Sequence, residues 1–113
     1  MIAPGKYREE MTEGIHASSR ELTLHEDHTF EFVDSDAHGG PNSSDTYRGR
    51  YYAQGRSVIL EVTSRSGFSY SPVDDYPTES SEPMSAQWSV VGIDGTTIKL
   101  SCGAYDCQLK LQS

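Results

Sequence analysis

Apolar and polar residues alternate with a period of two wherever the chain is apolar at all. The clearest stretch is Arg20–Asp34, R-E-L-T-L-H-E-D-H-T-F-E-F-V-D. Leu22 and Leu24 share one face against Glu21, Thr23 and His25; Phe30 and Phe32 then oppose Thr29, Glu31 and Val33. That is the signature of two half-buried strands. A three-residue turn at Glu26-Asp27-His28 sets Leu24 against Phe30 and Leu22 against Phe32. A two-residue turn scatters the apolar set over both faces, which a strand with one buried face does not tolerate. The longer turn needs His28 at positive φ, where His is among the enriched residues.

The same alternation orders the rest. Pro4–Glu9 reads as a first strand with Tyr7 inward. Thr46–Ala53 and Arg56–Ser64 pair around Gln54-Gly55, with Tyr47 against Val62, Gly49 against Leu60, Tyr51 against Val58, and Arg48 against Glu61 outside. Parity then carries strand five to Phe68 and Tyr70 past a bulge at Gly67. Ala86–Gly92 and Thr96–Cys102 turn at Ile93-Asp94-Gly95, with Gly95 left-handed, Trp88 facing Leu100 and Val90 facing Ile98. The last hairpin turns at Ala104-Tyr105, setting Cys102 opposite Cys107, Leu100 opposite Leu109 and Ile98 opposite Leu111, with Lys99 against Lys110 as an unfavourable exterior pair. Glu10–Ser19, Ser35–Asp45 and Ser71–Ser85 lack periodicity and read as long loops, the last too proline-rich for a strand interior. Eight strands joined in sequence predict an all-β fold, an eight-stranded antiparallel up-and-down β-barrel. Closure removes both edges, and sequential hairpins favour the barrel over a two-sheet sandwich.

At 113 residues the chain fits one domain, 1–113. Its net charge of −8 argues against nucleic acid and anionic membrane as partners. No apolar run approaches a membrane span and no signal peptide opens the chain. Cys102 and Cys107, opposed across a strand pair, lie within disulfide reach. Buried thiols are the alternative; a redox pair is disfavoured because C-x4-C lacks the C-x-x-C spacing. A disulfide would favour a periplasmic or secreted setting.

The run Ser19–Phe30, S-R-E-L-T-L-H-E-D-H-T-F, resembles the S-x-x-L-x-L-x-x-D-G-T-F segment of small bacterial lipocalin-like (calycin-type) barrel domains. Gly5-Lys6-Tyr7 is similar to the G-x-Y opening of that family, and Tyr47-Arg-Gly-Arg-Tyr51 to its G-x-W/Y strand, so the likeness covers roughly residues 5–64. His28 stands where the family has Gly, and Tyr51 where it has Trp. The resemblance implies a lipocalin-like barrel and a binding habit, and no single activity.

In a meander the connections alternate between two ends. The tight turns fall at one end, expected to be closed and featureless; the long loops and the Cys102–Cys107 hairpin fall at the other. Glu9, Glu10, Glu13, Asp34, Asp36, Asp45, Asp74, Asp75, Glu79 and Glu82 lie in or beside these loops, ten of seventeen acids, against Arg65 alone of nine bases. Such a field concentrates cations and steers a basic partner; the competing reading is that loops are polar because they are solvated. The candidate binding residues are Asp34, Asp36, His38, Asp45, Tyr70, Asp74, Asp75, Tyr76, Glu79 and Glu82. Tyr70, Tyr76 and Trp88 are the aromatic anchor candidates, Trp88 fitting the core better.

Metal and catalysis are weaker readings. His25, Glu26, Asp27 and His28 sit on the closed-end turn, with His28 turned away from His25. Asp34, Asp36 and His38, with Asp45, lack the bidentate Glu of a calcium loop. No G-x-S-x-G or H-E-x-x-H motif occurs, and no cofactor is implied. The expectation is a non-enzymatic binding protein that engages a basic protein in an inhibitor or immunity-type role. The alternative is a lipocalin-like carrier of a small apolar ligand, which needs an interior cavity of several hundred Å³. Phe30, Phe32, Tyr47, Tyr51, Leu60, Trp88 and Leu100 leave an eight-stranded barrel little such space.

Overall fold

The computed structural model describes residues 4–13, 16–38, 42–71, 76–101 and 106–112, the side chains of residues 10–13, 16, 38, 71, 76 and 77 excepted. Eight strands follow one another: β1 (Gly5–Glu13), β2 (His16–Leu24), β3 (Thr29–His38), β4 (Asn42–Gln54), β5 (Ser57–Ser71), β6 (Tyr76–Gly92), β7 (Thr97–Ser101) and β8 (Asp106–Leu111). Each is antiparallel to the next, and β8 returns to β1, so the meander closes as an up-and-down barrel.

The period of two in the sequence becomes the barrel wall. Tyr7, Leu22, Leu24, Phe30, Phe32, Val58, Leu60, Val62, Trp88, Val90, Ile98, Leu100 and Leu109 are all buried. Rings fill the upper part of this core: Trp88 meets Phe32 edge-on at 5.7 Å between centroids and Tyr47 at 4.9 Å, the tilted geometries that ring quadrupoles favour. Trp88 is therefore core and not an interface anchor.

The Glu26–His28 turn forms as the alternation predicts. His28 has φ 70°, His25 N donates to Thr29 O at 2.9 Å, and Leu24 pairs Phe30 and Leu22 pairs Phe32. Asp27 Oδ1 tightens the turn by accepting from Thr29 N at 3.0 Å and Thr29 Oγ1 at 2.5 Å.

The next three hairpins keep the predicted faces but slide by two residues. Between β4 and β5 the turn is Gly55-Arg56, and Tyr51 pairs Leu60 and Gly49 pairs Val62. Gly55, at φ 62°, takes the first central position, where a II′-type hairpin turn needs glycine. Arg48 accordingly leaves Glu61 and pairs with Glu31, its Nε 3.0 Å from Oε2. Between β6 and β7, Val90 pairs Leu100 and Gly92 pairs Ile98. Positive φ at Gly95 is not required, because Asp94 Oδ1 organises that turn by accepting from Thr96 N and Thr97 N, both at 2.8 Å. Between β7 and β8, Leu100 pairs Cys107 and Ile98 pairs Leu109. This register avoids the Lys99–Lys110 pair and brings Lys99 Nζ within 3.4 Å of Asp106 Oδ2.

The slide also changes the strand position opposite Cys107. Cys107 is buried and its cross-strand partner is Leu100; Cys102, the other half of the expected bridge, lies outside the described residues.

The bulge of β5 falls at Thr63 and not at Gly67: Val62 pairs Gly49, Ser64 pairs Arg48, and Thr63 is the extra residue. The inserted residue reverses the parity of everything beyond it. Arg65 and Gly67 therefore sit on the inner face, and Phe68 and Tyr70 on the outer one. Gly49 is the pivot, since a Cβ there would stand 1.8 Å from the Glu61 carbonyl oxygen.

The three segments expected as long loops are mostly strand. Pairing runs to Glu13↔His16 in β1–β2, Ala37↔Asn42 in β3–β4 and Ser71↔Tyr76 in β5–β6. Their polar residues cover both sides of ribbons that rise above the core, which is why no alternation marks them. Pro77 and Pro83 lie inside β6, where it pairs β5 alone: β7 contacts β6 only at Ser89–Gly92. A residue without N–H is tolerated on such a one-sided stretch. Closure is thus a short collar, with β1 joined to β8 at Tyr7↔Leu111 and Arg8↔Lys110. Above it β1–β6 continue as an open curved sheet, whose margin carries the prolines and acids that edges need. The molecule measures 48 × 32 × 25 Å.

Candidate functional site

Above the aromatic core the inner face changes from apolar to ionic within one rung. The rung Tyr7–Leu22–Phe32–Tyr47 continues into Arg65 and Glu82, and the next holds Glu9, Arg20, Asp34, Asp45 and Gly67. Two arginines knit these acids together. Arg20 Nη1 lies 3.4 Å from Glu9 Oε1, and its Nε 3.7 Å from Asp34 Oδ1. Arg65 Nη2 lies 2.8 Å from Asp45 Oδ1 and its Nη1 3.1 Å from Glu82 Oε1. A hydrogen bond to Tyr47, then Glu82 and Asp45, raise the Arg65 guanidinium above its ordinary range. Gly67 leaves the space these groups use: a Cβ there would lie 3.2 Å from Asp45 Oδ1 and 3.1 Å from Ser80 Oγ.

The ten acids named above therefore do not form one open cluster. Asp34, Asp45 and Glu82 are neutralised in the inner layer, and Asp36 sits one inner rung higher, opposite Ser43. Tyr70 and Glu79 lie on the outer face; of His38 and Tyr76 only the backbone is described, and Asp74 and Asp75 lie outside the described residues. Alternation missed Arg20 as a partner for Asp34, although it shares the parity of Leu22 and Leu24.

Even so, the charge is one-sided. From the Glu9–Arg20–Asp34–Asp45–Gly67 rung outward, the six long strands and their connections carry nine of seventeen acids and one of nine bases. The rest of the chain holds eight of each, so the whole net charge of −8 belongs to the ribbon-bearing half.

The outer face of this half has its own relief. Phe68 lies between two open grooves, one of about 450 Å³ lined by Ala17, Ser19, Ser35, Ala37 and Ser44. The other, about 360 Å³, runs over Thr46, Ser66, Glu79 and Ser81. Small side chains floor both grooves, with Arg8 lining the first and Arg48 the second.

No family model, no curated protein and no solved structure matches the chain.

The tight-turn pole is not featureless. An apolar cleft of about 620 Å³ opens there, lined by Pro4, His28, Tyr51, Ala53, Val58 and Gly92, with Arg56 at its rim. His28 stacks on Tyr51 with centroids 5.5 Å apart and planes 8° from parallel. The Tyr51 hydroxyl donates to the His25 carbonyl; burial, then Asp27 and Glu26, push that phenol upward. His25 and His28 belong to this turn, and among the described residues no three His, Cys, Asp or Glu side chains cluster as metal ligands.

Proposed function

We propose that the chain is a non-enzymatic binding module whose ribbon-bearing half engages a basic protein. The observation that carries this reading is the segregation of the entire net charge of −8 into that half, since a single-sign field speeds encounter with a partner of opposite sign. The outer face supplies what charge alone does not: the half-buried Phe68 stands between the two grooves with Tyr70 on the same face, and aromatic rings dominate interface energetics. The inner carboxylates Asp34, Asp45 and Glu82 hold the sheet together through Arg20 and Arg65, leaving recognition to Glu79 and the acids of the connections.

The test is capture of a partner from the native source by the wild-type chain and by a variant with Asp74→Asn, Asp75→Asn and Glu79→Gln. The variant is expected to capture the same protein more slowly and with a shallower salt dependence. Identical association rates at low and high salt would remove the charge from the reading.

A second reading rests on the apolar cleft at the other pole. Its volume of about 620 Å³ lies in the range of small-molecule sites, so a carrier of a small apolar ligand would use this cleft and not the barrel interior, which Phe30, Phe32, Leu60, Leu100 and Leu109 fill. Enhancement of an apolar fluorescent probe that Ala53→Trp abolishes would favour this reading; no enhancement by the wild-type chain would remove it.

A further inference from the structure

The cleft at the tight-turn pole combines a flat aromatic wall with an uncommitted arginine. His28 and Tyr51 both line it, their ring planes 8° from parallel, and the buried Val58 continues the apolar lining into the core. His28 holds φ 70°, a left-handed position that glycine would fill without strain. Backbone strain of this kind gathers at ligand sites, and what His28 brings in exchange is its ring. The Tyr51 hydroxyl is tied to the His25 carbonyl, which fixes the second ring in place.

Among the described residues no acid lines the cleft, and Arg56 at its rim makes no ion pair with any of them. The acids of the neighbouring turns are mostly spent on those turns: Asp27 accepts from Thr29 and Asp94 from Thr96 and Thr97, leaving the exposed Glu26. This pole belongs to the part of the chain with eight acids and eight bases, so an approaching anion meets no net negative field, as it would at the ribbon-bearing half. A guanidinium takes a carboxylate or sulfonate through paired N–H donors, and offset stacking favours a flat ring against His28 and Tyr51. We propose that the cleft binds a planar aromatic acid, its ring against His28 and Tyr51 and its anionic group on Arg56. This assigns a chemical class to the ligand of the carrier reading, on which it rests.

The test is fluorescence titration of the full chain with anilinonaphthalene sulfonate and with phenylnaphthylamine, the same ring system without the acid, while far-UV circular dichroism reports the fold. The sulfonate is expected to bind more tightly. Arg56→Gln should weaken the sulfonate about two- to fivefold, the range of an exposed ion pair, and leave the amine unchanged. His28→Gly, which suits the backbone of the turn, should weaken both probes about two- to tenfold. Arg50→Gln, whose guanidinium lies outside the cleft, should bind both as wild type. Naphthoate should displace the sulfonate at lower concentration than octanoate does. Enhancement of neither probe, or enhancement that Ala53→Trp leaves intact, would remove the carrier reading and this proposal together. If Ala53→Trp abolishes binding of the amine but the sulfonate binds no tighter, or is weakened no more by Arg56→Gln than by Arg50→Gln, the carrier reading stands and the acid is overturned. Undiminished binding by His28→Gly, or equal displacement by octanoate, would overturn the aromatic ring.

Discussion

Gly49→Ala is the substitution that most directly tests the geometry at the bulge. A methyl at position 49 would stand 1.8 Å from the Glu61 carbonyl oxygen, 2.9 Å from its carbon and 3.0 Å from Phe30 Cε1. The first two are backbone atoms of the β4–β5 ladder, so no rotamer change relieves the clash. Overpacking costs about 1–3 kcal/mol, and pulling a partly buried carbonyl out of its ladder adds about 1–3 kcal/mol. A loss of about 2–5 kcal/mol is a large part of the roughly 5–15 kcal/mol that holds a domain folded. It corresponds to a fall in Tm of about 10–30 °C. Urea unfolding followed through the single, buried Trp88 measures it. Two other glycines are the controls. Gly55 has open space but φ 62°, so Gly55→Ala should cost about 1–2 kcal/mol of left-handed strain. Gly95 also has open space, and Gly95→Ala should change stability by less than about 1 kcal/mol. If Gly49→Ala proves as mild as Gly95→Ala, the bulge and the parity reversal it imposes on Arg65 and Phe68 are wrong.

Three other outcomes are expected. Hydrogen bonds from Thr96, backbone first, hold the Asp94 carboxyl below its ordinary value of 3.8. A carboxylate depressed in the folded state contributes stability above its unfolded pKa and loses it as pH falls through the folded one. Asp94→Ala should therefore flatten the decline in urea midpoint below about pH 4 while lowering the midpoint at neutral pH. Arg65→Met should destabilise by about 1 kcal/mol, since its ion pairs are partly exposed and screened, and the difference should shrink in high salt. If the Cys102–Cys107 bridge forms, reduction should raise the mass of the protein by about two daltons; labelling of Cys107, which is buried, by a thiol reagent in denaturant without reductant would exclude it.

What the sequence determined by itself is the set of residues that face inward. A buried face enforces a period of two, so Leu22, Leu24, Phe30, Phe32, Leu60, Trp88, Leu100 and Leu109 could be placed in the core and eight strands counted from them. What it left open is register. A slip of two residues keeps every side chain on its own face, so alternation is blind to it, and three hairpins slid by that amount. Turn chemistry at Gly55 and Asp94 decided two of them; relief of the Lys99–Lys110 repulsion accompanies the third. Nor does alternation survive where both faces are polar, which is why the ribbons of β1–β6 read as loops. The inner pairs of Arg65 with Asp45 and Glu82 depend on a single extra residue at Thr63, and only the assembled sheet shows which neighbours that residue displaces.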